Sequence, residues 1–247
     1  MPLLNDDSLE ERKIQGSPYG FSATRINDLQ ASEYTLVGIS LDASSSVTPF
    51  ESDINKATQE IVRSCRHSPR ADNLMMRCAQ FANDVKEIHG FKPLSECNVD
   101  SYASALSVGG MTAMFDGAHN MIESIRHYAK DLTDNDYSVN AILFVVTDGD
   151  DNRSTMNAQS VARALKDLTQ SEVVESVVSV LIGVNVQDPK LSSYLQAFKS
   201  EAGFTQYVEI DKADSKTLAK LAEFVSKSIS AQSQALGTGG PSQSLSF

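Results

Sequence analysis

The sequence predicts an α/β fold: a doubly wound, mostly parallel six-stranded sheet with one antiparallel edge strand and helices on both faces. Three observations predict it. Strand-like apolar runs alternate with segments of helical periodicity from residue 34 to residue 231, the order that builds a parallel sheet through crossover helices. The first run, Tyr34-Thr35-Leu36-Val37-Gly38-Ile39-Ser40-Leu41, is continuously apolar, as a strand buried on both faces requires. Two later runs are joined by Asn83-Asp84 alone, a turn tight enough to imply an antiparallel hairpin.

The elements follow in order. Residues 1–32 are polar and aperiodic, with Asp6-Asp7, the charged run Glu10-Glu11-Arg12-Lys13 and the turn cluster Gly16-Ser17-Pro18-Tyr19-Gly20, and they read as an N-terminal arm. Tyr19, Phe21 and Ile26 make the arm apolar enough to dock, on the sheet of its own chain or on a partner. After the strand 34–41, Thr48-Pro49-Phe50-Glu51 offers an N-cap hydroxyl, a proline at the first helical position and an acid at the third. That capping box opens a helix to about Cys65. Residues 73–82 and 85–91 are the hairpin, expected at one edge of the sheet. A loop with Pro93 and Cys97 leads to a short helical segment near 100–107, the Gly109-Gly110 loop and a helix from about 113 to 131. Its Met114, Phe115, Ala118, Met121, Ile122, Ile125 and Tyr128 keep helical spacing. Strand 139–147, helix 157–170, strand 174–184, helix 190–201, strand 205–210 and helix 214–231 complete one domain over 33–231. From Gln232 the chain is rich in Ser, Gln and Gly and reads as a flexible tail over 232–247.

Composition narrows the function. In 247 residues, 41% hydrophobic, there is material for one large core. The net charge of −11 repels phosphate backbones and anionic membranes, and no Lys/Arg run compensates. The mildly basic stretch Arg63, Arg66, His67 and Arg70 reads as a helix surface. Three cysteines, Cys65, Cys78 and Cys97, leave one over and show no CxxC spacing, which argues against a disulfide framework or zinc site and for a reducing cytoplasm. Met1 is followed by Pro2-Leu3-Leu4-Asn5 and two acids rather than a basic and then apolar leader, and no apolar run approaches the roughly 20 residues of a membrane span. A soluble chain, not exported by the common route, is expected.

The chemistry gathers on three loops. Asp42-Ala43-Ser44-Ser45-Ser46 puts a carboxylate and two hydroxyls, at spacing two, directly after the first strand. Ala141-Ile142-Leu143-Phe144-Val145-Val146 ends in Thr147-Asp148-Gly149-Asp150, a second carboxylate at a strand end. Gly109-Gly110-Met111-Thr112 adds a hydroxyl on a glycine loop. Oxygen donors without His or Cys suit a hard divalent cation, and strand ends in such a sheet are where ligands bind.

Together these residues resemble the metal-ion-dependent adhesion site (MIDAS) of von Willebrand factor A (vWA, integrin I-like) domains, a Rossmann-like fold. The resemblance spans roughly residues 33–231. It implies Mg²⁺, or Mn²⁺, held by Asp42, Ser44, Ser46, Thr112 and Asp148, with one position open for a Glu or Asp of a partner protein. It further implies an intracellular adaptor of bacterial or phage type, and bacterial-type relatives point to an AAA+ ATPase system as the partner. Met111 stands where many members run Gly directly into Thr. Ser45 is expected to point away from the ion. Asp116 reads either as part of the family pattern or as a first-turn acid favoured by the helix dipole, and Asp150-Asp151-Asn152 as a solvated loop.

Two other functions stand beside this one. An Asp at a strand end with Mg²⁺ also describes a metal-dependent phosphoesterase, but Ser44 occupies the place of the second Asp that an aspartyl-phosphate enzyme uses. No Walker loop follows any strand, and His67, His89, His119 and His127 lie apart from the motif. Alternatively the domain is a structural subunit whose contacts are made by Tyr19-Gly20-Phe21 in the arm and Leu245-Ser246-Phe247 in the tail.

Overall fold

In the computed structural model, which describes residues 8–212, 214–238 and 245–247, the long apolar runs lie side by side in the middle of one sheet. Among the described residues the sheet has eight strands: β1 (Leu9–Lys13), β2 (Gly20–Thr24), β3 (Glu33–Asp42), β4 (Leu74–Phe81), β5 (Val85–Pro93), β6 (Ser138–Thr147), β7 (Ser176–Val184) and β8 (Gln206–Ile210). Their spatial order is β1-β2-β5-β4-β3-β6-β7-β8. From β4 through β8 neighbouring strands are parallel, and β5 runs antiparallel to β4.

Alternation along the strands feeds two cores. Val37, Ile39 and Leu41 of β3 face α1 (Glu51–Arg66) and α5 (Ser215–Thr238). Leu36 of the same strand faces the layer of α2 (Met114–Thr133), α3 (Ala158–Gln170) and α4 (Pro189–Ala202). Helices therefore cover both faces, as the alternation of elements predicts. Among the described residues, no helix is long and apolar enough to cross a membrane. Cys65, Cys78 and Cys97 are free and buried, and burial pushes the first two thiols to about 12 and the third to about 11.

The sheet differs from the six-stranded expectation at the hairpin. β5 is not the edge, because the arm supplies two more strands: β2 lies parallel to β5 at Ala23–Phe91, and β1 pairs antiparallel with β2. The physical reason is a buried polar clasp. Glu87 of β5 accepts hydrogen bonds from the Ser22 amide (3.1 Å) and hydroxyl (2.5 Å), and its charge is met by Arg77 of β4 at 2.7 Å. Arg77, 1% exposed at its side chain, also donates to Asn120 and Ser124 of α2. At Gly90 a Cβ would lie 2.1 Å from the Ser22 carbonyl oxygen, so only glycine allows the strands to meet. The Tyr128 hydroxyl donates to Thr24 O, and Arg12 lies over the Tyr128 ring and pairs with Asp131. Periodicity could not reveal the arm's contacts, which join residues as far apart as Ser22 and Glu87 or Arg12 and Asp131.

Three boundaries moved. Ser45–Phe50 is a 3₁₀ turn, and α1 begins only at Glu51. Thr48 donates its hydroxyl to Ser45 O instead of capping the helix. The segment near 100–107 is a 3₁₀ turn at Val99–Ser104, with the Asn98 side chain accepting from the Asp100 amide. Residues 232–238, read as tail, continue α5 because Gln232 is buried and anchored: its side-chain amide donates to Ala141 O and Ser176 Oγ, and its main-chain carbonyl accepts from the Asn140 side chain. The rest of the expected tail, 239–244, and residues 1–7 of the arm lie outside the described residues. Leu245–Phe247 return to the domain: Gln206 donates to Leu245 O, and the Phe247 ring meets Phe224 edge-on at 5.7 Å.

Candidate metal centre

β3 and β6 are parallel neighbours, Leu41 opposite Val146, so Asp42 and Asp148 leave the sheet side by side. The chain turns from β3 into α1 on one face and from β6 into α3 on the other. This divergence opens the crevice in which open α/β sheets bind ligands.

Hydroxyls bridge the two carboxylates. Asp42 is buried; its Oδ1 accepts the Ser44 amide at 2.8 Å and its Oδ2 the Thr147 hydroxyl at 2.7 Å. Ser44 Oγ lies 2.9 Å from Ser46 Oγ, and the Ser46 hydroxyl donates to Asp148 Oδ1 at 2.8 Å. Thr112 is buried beside the same loop, its Oγ1 3.8 Å from where a Cβ on Gly149 would stand. Among the described residues no hydrogen bond uses the Thr112 hydroxyl. The five sequence-predicted residues are therefore brought together.

Met111 does not spoil the reach of the glycine loop. Ser45 points away from the carboxylates, as expected, and stitches the loops together: its hydroxyl accepts from the Gly110 amide at 2.9 Å, and its amide donates to Gly110 O. Asn83 in the hairpin turn accepts the Met111 amide at 3.0 Å. Gly110 has φ +92°, and a Cβ there would meet the Asn83 side chain at 2.5 Å, so the loop needs glycine at this point for both reasons. Met111 itself projects outward, 46% exposed.

Several positioning residues were not legible. Asp150-Asp151-Asn152, read as a solvated loop, is partly structural. Asn152 accepts the Thr112 amide and donates its own to Thr112 O, while Asp151 accepts the Phe115 amide and takes its own N–H bond to the Tyr194 hydroxyl. Asp116 is buried and receives the Thr155 amide and hydroxyl and the Met156 amide, so it does more than complement a helix dipole. The only hint in the sequence is the density of Asp, Asn and Ser over 148–157. The four histidines stay apart from this network: among the described residues none of its hydrogen bonds uses one, and His89 is buried against the Tyr102 hydroxyl at 2.6 Å.

The electrostatics leave negative charge unmatched. Burial raises the pKa of Asp42 against the hydrogen bonds from Thr147 and Ser44. Burial, and then the charge of Asp42, push Asp148 up to about 6. Among the described residues no Lys or Arg pairs with either carboxylate, and no group of three or more His, Cys, Asp or Glu is placed to hold a metal ion. Two facing carboxylates, two bridging serines and a spare threonine hydroxyl fit a hard cation, whose charge would relieve both acids.

A family model of the von Willebrand factor type A domain matches residues 37–224. No curated protein matches the sequence. Among solved structures the chain is similar in fold to the PilB minor pilin from Streptococcus sanguinis, with TM-score 0.59 and 15% identity over 88% of this chain and 66% of that one. It is similar also to proximal thread matrix protein 1 from the mussel byssus, with TM-score 0.53 and 21% identity over 79% and 45%, a protein also solved with a zinc-occupied MIDAS motif. For the pilus adhesin SpaC from Lactobacillus rhamnosus GG the TM-score is 0.57 at 10% identity, over 92% and 36%. The chain thus spans less than two thirds of each of these longer proteins.

Proposed function

The chain belongs to the von Willebrand factor type A domain family, and from that premise we propose that it is a divalent-metal-dependent protein-binding module, an adaptor or assembly domain rather than an enzyme. One observation carries the reading: Asp42, buried, and Asp148, partly buried, are bridged by Ser44 and Ser46 without a basic partner among the described residues. Asp42, Ser44, Ser46, Thr112 and Asp148 would hold the ion, with Mg²⁺ favoured and Mn²⁺ able to replace it. Zinc, held in the MIDAS motif of the byssus protein, is a third ion to test. A bound cation supplies an electrophilic position that an outside carboxylate can fill. The chain's own residues do the rest: the two acids offset the ion's charge, the neutral hydroxyls leave it electrophilic, and Ser45 with Asn83 fixes the loop that carries Thr112.

The partner in this reading is a protein presenting Glu or Asp, with an AAA+ ATPase system as one candidate by analogy. The cytoplasm is the compartment favoured by the unpaired cysteines. A hydrolase is disfavoured because the hydrogen-bonded network contains no histidine that would serve as a general base.

Metal-stripped protein titrated calorimetrically with Mn²⁺ should bind one ion per chain. Asp42→Ala and Thr112→Ala should abolish that binding while the circular dichroism stays native. Metal-dependent capture of the partner should disappear with EDTA and with both variants. Capture that survives chelation unchanged would sink the metal-dependent reading.

A further inference from the structure

The arm lies outside the span matched by the family model, residues 37–224, yet it reaches the loop that follows Asp148. The Tyr19 hydroxyl, on the turn between β1 and β2, donates to Asp116 Oδ2 at 3.3 Å. Asp116, 2% exposed in the first turn of α2, spends its remaining acceptor capacity on residues 155 and 156: the Thr155 amide at 3.0 Å, its hydroxyl, and the Met156 amide at 2.8 Å. Its own amide donates to Ser154 Oγ, and the Ser154 hydroxyl donates to Asp151 at 2.5 Å. Asp151 and Asn152 then bind the backbone of Phe115 and Thr112. A path of hydrogen bonds, joined at Asp151–Asn152 by the peptide link, therefore runs from the arm through residues 151–156 to Thr112.

The start of that path is held firmly. Ser22 is tied to the buried Glu87–Arg77 pair, the Asn120 amide donates to Gly20 O, and Arg12 is paired with Asp131. Tyr19 sits between these anchors and Asp116, so it is fixed from the arm side. Burial, followed by the neighbouring Asp116, raises its pKa, which keeps the phenol protonated and donating.

We propose that the N-terminal hairpin is a positioning element for the metal centre: Tyr19, acting through Asp116, holds the 148–157 loop in register with Thr112 and thereby strengthens cation binding. This inference rests on the metal reading of the site. Outer partners that orient ligands typically change metal affinity about 10- to 100-fold. Tyr19 reaches Thr112 through four hydrogen bonds, those of Asp116, Ser154, Asp151 and Asn152, so it acts at the lower end of that range or below it.

The test uses the full chain with Mn²⁺ alone as the probe. Wild type, Tyr19→Phe and Asp116→Ala are titrated with Mn²⁺, and amide hydrogen exchange is followed in the metal-free proteins. The expected result is affinity about tenfold weaker in Asp116→Ala, a smaller loss in Tyr19→Phe, and faster exchange at residues 154–156 with the amides of β3 unchanged. Tyr19→Phe loses one oxygen from a half-buried ring, so it keeps the test open if Asp116→Ala fails to fold. Wild type that binds Mn²⁺ while Tyr19→Phe binds it equally well overturns the inference and leaves the metal reading standing. Wild type that binds no Mn²⁺ sinks the metal reading instead. Exchange at 154–156 then decides the hairpin's role alone, faster exchange in Tyr19→Phe supporting it and unchanged exchange overturning it.

Discussion

Two regions of this molecule bury carboxylates, and they do so in opposite ways. On the flank, Glu87 is enclosed with Arg77 at 2.7 Å and takes its remaining hydrogen bonds from Ser22. Charge and hydrogen-bonding capacity are both satisfied within the chain. At the carboxyl ends of β3 and β6, Asp42 and Asp148 receive hydroxyl and amide donors and each other's repulsion. A buried acid with a guanidinium partner belongs to the architecture; a buried and a partly buried acid that share donors but lack such a partner describe a place for something from outside.

The largest effect should come from breaking the satisfied region. Arg77→Met leaves Glu87 buried and uncompensated, and should cost about 3–5 kcal/mol by urea denaturation. A loss under about 1 kcal/mol, the range of exposed pairs, would mean that the flank is no more self-sufficient than the metal centre.

A second, smaller effect is on pH dependence. A carboxyl whose pKa is raised from 3.8 to about 6 on folding holds its proton more tightly in the folded chain. The metal-free protein should therefore gain stability as pH falls from above 6 towards 4, change no further from this group below 4, and carry the full penalty above 6. Asp148→Asn removes this component. Thermal melts in EDTA at pH 4.5 and 7.5 should differ less for the variant than for wild type, and an equal difference would mean that burial and the charge of Asp42 do not raise the Asp148 pKa.

The smallest effect sharpens the contrast. Ser45→Ala deletes the hydrogen bond to the Gly110 amide in a water-accessible loop, so stability should fall by about 0.5–1 kcal/mol, while Mn²⁺ binding weakens because Thr112 loses its register. A variant that loses stability but keeps full Mn²⁺ affinity would show Ser45 to be an ordinary loop stitch.

How much of this was visible in the residues varied with range. The central strands were legible because burial on both faces writes continuous apolar runs, and Asp42, Ser44, Ser46, Thr112 and Asp148 because each follows a strand or a glycine loop. The hairpin's docking was open in the sequence, since Ser22 and Glu87 carry no periodic signal and gain meaning only across the sheet. Gln232 likewise looked like low-complexity tail, although its side chain reaches Ala141 O and extends α5. Polar residues that hold backbone at long range, such as Asn83, Asp116 and Asn152, are indistinguishable from solvated ones until the fold brings their partners to them.

The docked hairpin also decides what the molecule shows to its neighbours in solution. Without it the sheet would end at β5, nine residues long, which would present open hydrogen-bonding groups together with Ile88 and Phe91, now buried. With it the outermost strand is β1, five residues long and with Glu10, Glu11 and Lys13 exposed. A short, charged border of this kind is a poor template for another strand, so the arm doubles as a guard against edge-to-edge aggregation.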